Sequence, residues 1–493
     1  MLAISLVFCI SACDDEISDD HFYQSDNALN SNLNALIAND SDLSTFYSLL
    51  KETGYDEILD QPQAYTVWAP TNEALANVSP DVLTNPEMLF ELIGNHISRY
   101  SYTSNDIGSE GLFVKMLNEK HVSNSIKNGT VYFDDVEVID GDLLTNNGIL
   151  HKIGDVVDVK SNIWSYLSES GEYPKLVDYM TQFESIDFDP TVSTIIGQNT
   201  LGKNVYDSIF VTNNSYFDVI GDLNSEEERF SFVALTDEVY NTAYDSYKEY
   251  FQHPNEETVK SAVNTTLFTN LNSTEFGTDQ LNSTLTNTIG NSVMVNASSV
   301  DENVKLSNGN VLKVNNFDVT PENLIYKPIR FEVENSENRK IGDASVLTVK
   351  KQYDLTASGL FTNKVSLIEN PNEDETNNYF EVSFTNVLSA DYDIYIKFSP
   401  VRALQDTKLK FEFSYKDVDG TIVKHPIESM VVSKDEVGRI KIGDTYSNPV
   451  YVNDTEKTYF AKLKVFIDVS EAELVLYNRS FGIDYIELSP VVK

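Results

Sequence analysis

Cysteine is almost absent. The 493 residues include only Cys9 and Cys13, both in an N-terminal apolar run, so no disulfide staples the rest and the fold relies on burial. Basic residues are scarce as well, 35 against 77 acidic ones for a net charge of −42. Counterion release on nucleic acid needs clustered Lys and Arg. No such cluster is present, so nucleic acid and anionic headgroups are poor partners. The N-terminal run Leu2–Ile10 has about 10 apolar residues where a bilayer crossing needs roughly 20. Catalytic signatures are missing too: there is no Gly-x-Ser-x-Gly, His-Glu-x-x-His, phosphate loop or dinucleotide fingerprint. The six histidines, His21, His96, His121, His151, His253 and His425, are scattered, and no thiol follows Cys13, so no metal site is predicted. Carboxylates abound. A glycosidase pair must be held at roughly 5 to 10 Å, and none is nominated; no catalytic residue and no cofactor is assigned.

What is present begins at the N-terminus. Ile10-Ser-Ala-Cys13 resembles the lipobox of bacterial lipoproteins, which implies that residues 1–13 are a signal peptide ending in a lipid-bearing Cys13. The basic n-region is missing, a departure that leaves the translation start open. Residues 14–28 open with Asp14-Asp-Glu-Ile-Ser-Asp-Asp20 and read as a solvated acidic tether. That run resembles the export signal of surface-exposed lipoproteins of the Bacteroidetes type, implying an outer-membrane, lipid-anchored location. One acyl chain anchors only marginally.

Two stretches repeat. Tyr65-Thr-Val-Trp-Ala-Pro-Thr-Asn-Glu-Ala-Leu75 has an imperfect copy at Phe230-Ser-Phe-Val-Ala-Leu-Thr-Asp-Glu-Val-Tyr240, and Asn147-Gly-Ile-Leu-His-Lys-Ile153 one at Asn308-Gly-Asn-Val-Leu-Lys-Val314. A unit of this length is a domain; solenoid periods are roughly 20 to 50 residues. Between Leu33 and Leu50 apolar residues recur at helical spacing. Tyr65–Ala69 reads as a strand ending at Pro70, with Thr71 and Asn72 as caps of a short helix. Pro86–Ile97 reads as a helix presenting Leu89, Leu92, Ile93 and Ile97 to a core. Short strands are predicted at 125–126, 130–133, 136–139 and 149–153, with Asn128-Gly129 and Asn147-Gly148 as turns. Helices first and hairpins after make an α+β module.

These residues resemble a fasciclin domain: Tyr65–Ala74 matches its first signature, Asn95-His-Ile97 the segment between, and Thr145–Val157 the second. The resemblance implies a module at 29–160 used in adhesion or in binding macromolecules, with no catalysis. His96, placed on the apolar helix, is read as a hydrogen-bonded packing residue without function. A second, degenerate fasciclin-like module is expected at 161–322, with Leu235 for Pro70 and Asp237 for Asn72. Its Asn/Thr/Ser-rich segment Asn264 to Asn296 is read as a polar insertion.

From about Tyr326 the pattern is period-two only, at 327–333, 344–349, 378–384, 392–398, 409–415, 458–469 and 481–488, predicting an antiparallel sandwich over 323–493. The last strand resembles that of galactose-binding-like jelly rolls, a group that includes many carbohydrate-binding modules. Asp417-Val-Asp-Gly420 is read as a hairpin turn, because the later ligands of a calcium loop are missing; a structural calcium is compatible with a jelly roll and is not predicted. The expected fold is therefore two tandem α+β fasciclin-like modules followed by an all-β jelly-roll-like sandwich. The expected role is non-enzymatic: a surface lipoprotein that binds extracellular glycan or a surface protein and meets the membrane through its lipid. The alternatives are an accessory glycan-binding lipoprotein of a polysaccharide-uptake system and, ranked below it, a glycan-active enzyme.

Overall fold

The structure, a computed structural model, describes residues 31–109, 111–271, 281–317, 319–320, 324–333, 335–342, 347–353, 361–367, 379–401, 403–453 and 458–492. The apolar run, Cys13 and the tether 14–28 lie outside the described residues. The chain divides into two compact units, residues 1–166 with 223–228 and 306–309, and residues 167–222 with 229–305 and 310–493.

The first unit opens with helices α1 (Leu33–Asn39), α2 (Ser44–Thr53) and α3 (Tyr55–Leu59). Their helical stripe, Leu33, Ile37, Phe46, Leu50 and Leu59, is wholly buried. Gly54 ends α2 in the left-handed region at φ 77°, which lets α3 begin at the next residue. β1 (Tyr65–Pro70) is buried at every position. The short helix α4 (Asn72–Leu75) follows, capped by Thr71, whose Oγ1 accepts from the Ala74 N–H at 3.2 Å. Next come α5 (Pro80–Thr84) and α6 (Pro86–Gly94), then β2 (Ile97–Arg99), β3 (Leu112–Lys115), β4 (His121–Lys127), β5 (Thr130–Phe133), β6 (Val136–Thr145) and β7 (Gly148–Ile153). One sheet of order β2-β1-β7-β6-β5-β4-β3 results, with β1 antiparallel to β2 and parallel to β7.

Three expectations are corrected here. The helix from Pro86 stops at Gly94: Asn95 and His96 form a turn, and Ile97 starts β2. The helical period ran on because Ile97 joins the same core as Leu89 and Ile93, from a strand instead. β4 begins at His121, four residues before the expected strand, and β6 runs to Thr145, six residues past the expected end. β3 was not expected at all. Buried Asn124 occupies an inward position of β4 and masks the apolar alternation. Asn128-Gly129 does make the β4–β5 turn, at φ 54° and 84°. Asn147 is not a left-handed turn residue, and a Cβ on Gly148 would fall on the Tyr65 carbonyl and the Leu33 side chain.

α7 (Ile163–Glu169) leads out of the first unit. The second continues with α8 (Pro174–Met180), four strands β8 (Glu184–Phe188), β9 (Thr194–Gln198), β10 (Asn204–Asp207) and β11 (Phe210–Asn214), and α9 (Phe217–Ile220). β12 (Phe230–Leu235), α10 (Asp237–Tyr247), α11 (Glu256–Leu267) and β13 (Thr269–Leu271) follow, then β14 (Thr284–Thr286), β15 (Ser292–Met294), β16 (Val300–Leu306) and β17 (Gly309–Val314). The sheet order β13-β12-β17-β16 matches β2-β1-β7-β6 of the first sheet, and β12, like β1, is buried throughout. The polar segment from Asn264 is corrected. Asn264 lies inside α11, fully buried, with its Oδ1 accepting from the Tyr240 hydroxyl at 2.7 Å, and residues 269–271 are a buried strand. Asn and Thr on the buried face hid an amphipathic helix; residues 272–280 lie outside the described ones.

The remainder is β: β18 (Ile329–Glu332), β19 (Arg339–Ile341), β20 (Leu347–Tyr353), β21 (Phe361–Leu367), β22 (Tyr379–Phe384), β23 (Ala390–Phe398), β24 (Thr407–Lys416), β25 (Ile422–Val432), β26 (Arg439–Asn448), β27 (Ala461–Ile467) and β28 (Ile483–Pro490). A four-stranded sheet, β18-β28-β23-β26, and a five-stranded one, β19-β22-β27-β24-β25, contribute to one core through Ile394, Ile396, Ile486, Phe380, Phe411 and Leu463. Of the strand expected at 344–349, residues 344–346 lie outside the described ones, and 347–349 belong instead to a separate ribbon, β20 with β21. β25 and β26 were missed, since their one-sided burial leaves mostly polar sequence. Asp417–Gly420 turns β24 into β25, with Gly420 at φ 87°.

Candidate functional site

Period-two alternation fixes what each sheet shows to solvent. In the five-stranded sheet Phe380, Val382, Leu463, Val465, Phe411 and Phe413 point into the core. Their neighbours must point out, and the registers align them in rows. One row reads Lys340, Glu381, Lys464, Glu412, Pro426; beside it lie Ser383, Lys462, Ser414, Lys424, and on the other side Tyr379, Phe466, Lys410. These rows carry five lysines and two glutamates; farther along β24 on the same side, Lys408 is taken up by Asp468 at 3.4 Å and Glu473 at 2.9 Å.

The glutamates are partly consumed. Glu381, only 8% exposed, lies between Lys462 at 3.5 Å and Lys464 at 3.4 Å, and Glu412 pairs with Lys424 at 3.2 Å. Among the described residues Lys340 and Lys410 have no ion pair, and both are exposed. Rings accompany the cations: the Lys464 ammonium stands 4.4 Å from the Tyr379 ring centre, the Lys462 ammonium 4.5 Å from that of Phe460, and Tyr379 meets Phe466 at 6.0 Å. An open cleft of about 290 Å³ borders the face, lined by Asn338, Lys340, Glu381, Tyr459, Phe460 and Lys462. Residues 323–493 hold 21 of the 35 basic and 27 of the 77 acidic residues, net −6, whereas 1–322 hold 14 and 50, net −36. A surplus of cations beside rings suits a ligand that has both anionic groups and apolar faces.

The outer face of the four-stranded sheet also carries cations, but they are closed on themselves. Glu487, buried, receives Arg330 at 3.2 Å and Arg439 at 2.5 Å, and the two guanidiniums lie over Tyr485 and Tyr395 at 4.0 and 3.3 Å. That cluster welds β18, β28, β23 and β26, leaving less charge for a ligand.

His96 lies in the turn before β2 and His151 in β7. The His96 Nδ1–H donates to the Leu92 carbonyl at 2.8 Å, and its Nε2 accepts from the Val157 N–H at 3.1 Å. Burial pushes its pKa down to about 4. His151 donates from Nε2 to the Tyr102 carbonyl at 2.9 Å and accepts at Nδ1 from the Asp142 N–H at 3.2 Å; burial lowers its pKa too. With Trp68 stacked on Phe133 at 4.6 Å and on His151 at 5.5 Å, these rings are packing, as read for His96. Among the described residues no group of three or more His, Cys, Asp or Glu could hold a metal. The cationic face was not found from the sequence. Its signal was the Lys-x-Lys and Lys-x-Glu alternation in 408–416 and 462–464, visible only once the strands were in register.

The sequence model of the fasciclin domain matches residues 41–159. The transforming growth factor-beta-induced protein ig-h3 of Oryctolagus cuniculus, and likewise that of Sus scrofa, is 27% identical over 131 residues, covering 26% of this chain. The chain spans 19% of the length of these relatives. Among solved structures, the FAS1 domain pair of the insect cell adhesion molecule Fasciclin I is 14% identical, covers 58% of this chain and 99% of its own, and has a TM-score of 0.25. The CBM22-2 xylan-binding domain of Paenibacillus barcinonensis Xyn10C is 10% identical, covers 34% and 99%, and scores 0.23. At those TM-scores neither likeness speaks to fold or ligand. Residues 41–159 carry a fasciclin domain.

Proposed function

We propose that this chain is a non-catalytic cell-surface binding protein that holds an acidic glycan on the outer face of its five-stranded sheet. One observation carries the reading: a ring-bearing face whose rows set five lysines against two glutamates, in a chain of net charge −42. Ammonium groups meet carboxylates or sulfates, while the half-buried Phe466, backed by the buried Tyr379, offers a ring for a sugar's C–H face. The rest of the architecture fits a binding role. In this reading 161–322 is a second, degenerate fasciclin-like module, as its strand order suggests, and 323–493 is a galactose-binding-like sandwich. Cys13 carries the lipid, residues 14–28 are the tether, and the protein sits on the outer membrane facing outwards.

The test is retention of the full chain on immobilised neutral and acidic polysaccharides. Acidic polymers should retain it, less so at high salt, since the Debye length is about 3 Å at 1 M. Lys340→Glu with Lys410→Glu, which breaks no ion pair, should weaken retention by at least about tenfold. Unchanged retention of that variant would remove the face from the account, and cleaved product would end the non-catalytic reading. The alternative, an accessory lipoprotein of a polysaccharide-uptake system, is supported by the lipobox and acidic run alone. Both readings expect Cys13→Ala to leave the membrane fraction; a retained variant would refute lipid attachment.

A further inference from the structure

In the first unit one residue, Gly54, separates α2 from α3. In the second, the 36 residues 181–216 separate α8 from α9, and most of them build an arm of two ribbons. β8 pairs only with β11 and β9 only with β10, so each ribbon has both edges open. Phe188 opposes Phe210 and Tyr206 opposes Ile195 across the strands, and Phe188 meets Tyr206 edge-on at 5.2 Å, so one apolar face runs along both ribbons. That face is uncovered: Ile186 is 74% exposed, Phe210 60% and Ile195 55%, and Leu201, in the turn at the tip, is 81% exposed. An isolated two-stranded ribbon is marginally stable in water, and a contiguous exposed apolar patch marks an interaction surface.

We infer that two copies of this chain clasp each other through these arms, packed antiparallel about a two-fold axis. Charge complementarity points to a second copy. The only cation in 181–216 is Lys203, at the tip, while Glu184, Asp187 and Asp189 lie toward the base. Antiparallel packing sets each tip lysine on the partner's basal carboxylates, and a two-fold interface makes that match twice. Lys203 has no ion pair within its own chain among the described residues. The apolar side chains on that face, Ile186, Phe188, Ile195 and Phe210, with about 150–200 Å² each, offer on the order of 400 Å² per partner, the size of a weak, concentration-dependent contact. A membrane is the poorer occupant, because the arm has four carboxylates and one ammonium and would face anionic headgroups.

Sedimentation equilibrium of the full chain tests this. A concentration-dependent dimer is expected. Ile186→Asp with Leu201→Asp should weaken it at least about 100-fold with an unchanged circular dichroism spectrum, since both side chains are exposed. Lys203→Glu should weaken it about tenfold, and adding Asp187→Lys and Asp189→Lys should restore it. A chain that stays monomeric at every concentration, a dimer indifferent to all arm variants, or failure of the charge swap to restore association would overturn the proposal. So would arm-dependent binding of the monomer to phosphatidylcholine vesicles.

Discussion

β1 and β12 are both six residues long, both buried end to end, and each is followed by a helix capped by a threonine, Thr71 or Thr236. Around them the sequences part company, and the surviving contacts show which positions geometry holds. The Asn72 Oδ1 accepts from the Thr45 N–H at 2.8 Å, at the start of α2; the Asp237 Oδ1 accepts from the Lys175 N–H at 3.3 Å, at the start of α8. The acceptor is matched, and only the amide's donations, to the Ser41 carbonyl at 2.8 Å and the Ser44 Oγ at 3.1 Å, have no counterpart in an aspartate. Asn147 and Asn308 repeat the same logic. Asn147 accepts from the Leu33 N–H at 2.9 Å and donates to the Leu59 carbonyl at 2.7 Å; Asn308 accepts from the Ile163 N–H at 2.8 Å and donates to the Leu223 and Ser225 carbonyls at 2.9 and 2.8 Å. Where no such contact acts, the two regions differ widely, as in the single Gly54 against the 36-residue arm.

The sharpest way to break the comparison is at Gly148. Gly148→Ala puts a methyl group on the Tyr65 carbonyl, which forces β1 and β7 apart, and a loss above about 4 kcal/mol is expected in chemical denaturation followed by Trp68 fluorescence. A melt like that of the unmodified chain would show that the two strands are not locked at that register. The two asparagines come next. Asn308→Ala, fully buried with three bonds, should cost about 3 kcal/mol, and Asn147→Ala, half-buried, about 2 kcal/mol. The reverse order would contradict the role assigned to burial.

pH sharpens the contrast further. His96 has a folded pKa of about 4 against an ordinary 6.5, so above pH 6.5 it is neutral in both states and the native state keeps its full stability. As pH falls from 6.5 toward 4 only the unfolded chain takes the proton, and roughly 3 kcal/mol is lost in that window. His96→Gln should flatten this dependence when unfolding is followed from pH 7 to 4; an unaltered slope would assign it elsewhere. The smallest effect is expected for Asn72→Asp, below about 1 kcal/mol, since Asp237 already occupies that place and a carboxylate suits a helix N-terminus.

The first signature was legible because its strand is apolar throughout and its caps are side-chain chemistry. The helix end at Gly94 was not, because Asn95 and His96 act through long-range bonds: Asn95 donates to the Val157 carbonyl at 3.3 Å, and His96 accepts from the same residue's N–H. β25 and β26 escaped because edge strands with one wet face carry little alternation. The candidate face was illegible for a simpler reason. Lys340, Glu381, Lys464 and Glu412 are far apart in sequence and become a row only through strand register.

The central claim is that this face binds acidic glycan. Calorimetric titration of the full chain with polygalacturonate and with an uncharged polysaccharide of similar length addresses it directly. Saturable binding of the acidic polymer alone, weakened by salt and by Lys340→Glu with Lys410→Glu, is the expected result. Binding of neither polymer, or of both equally, would contradict it.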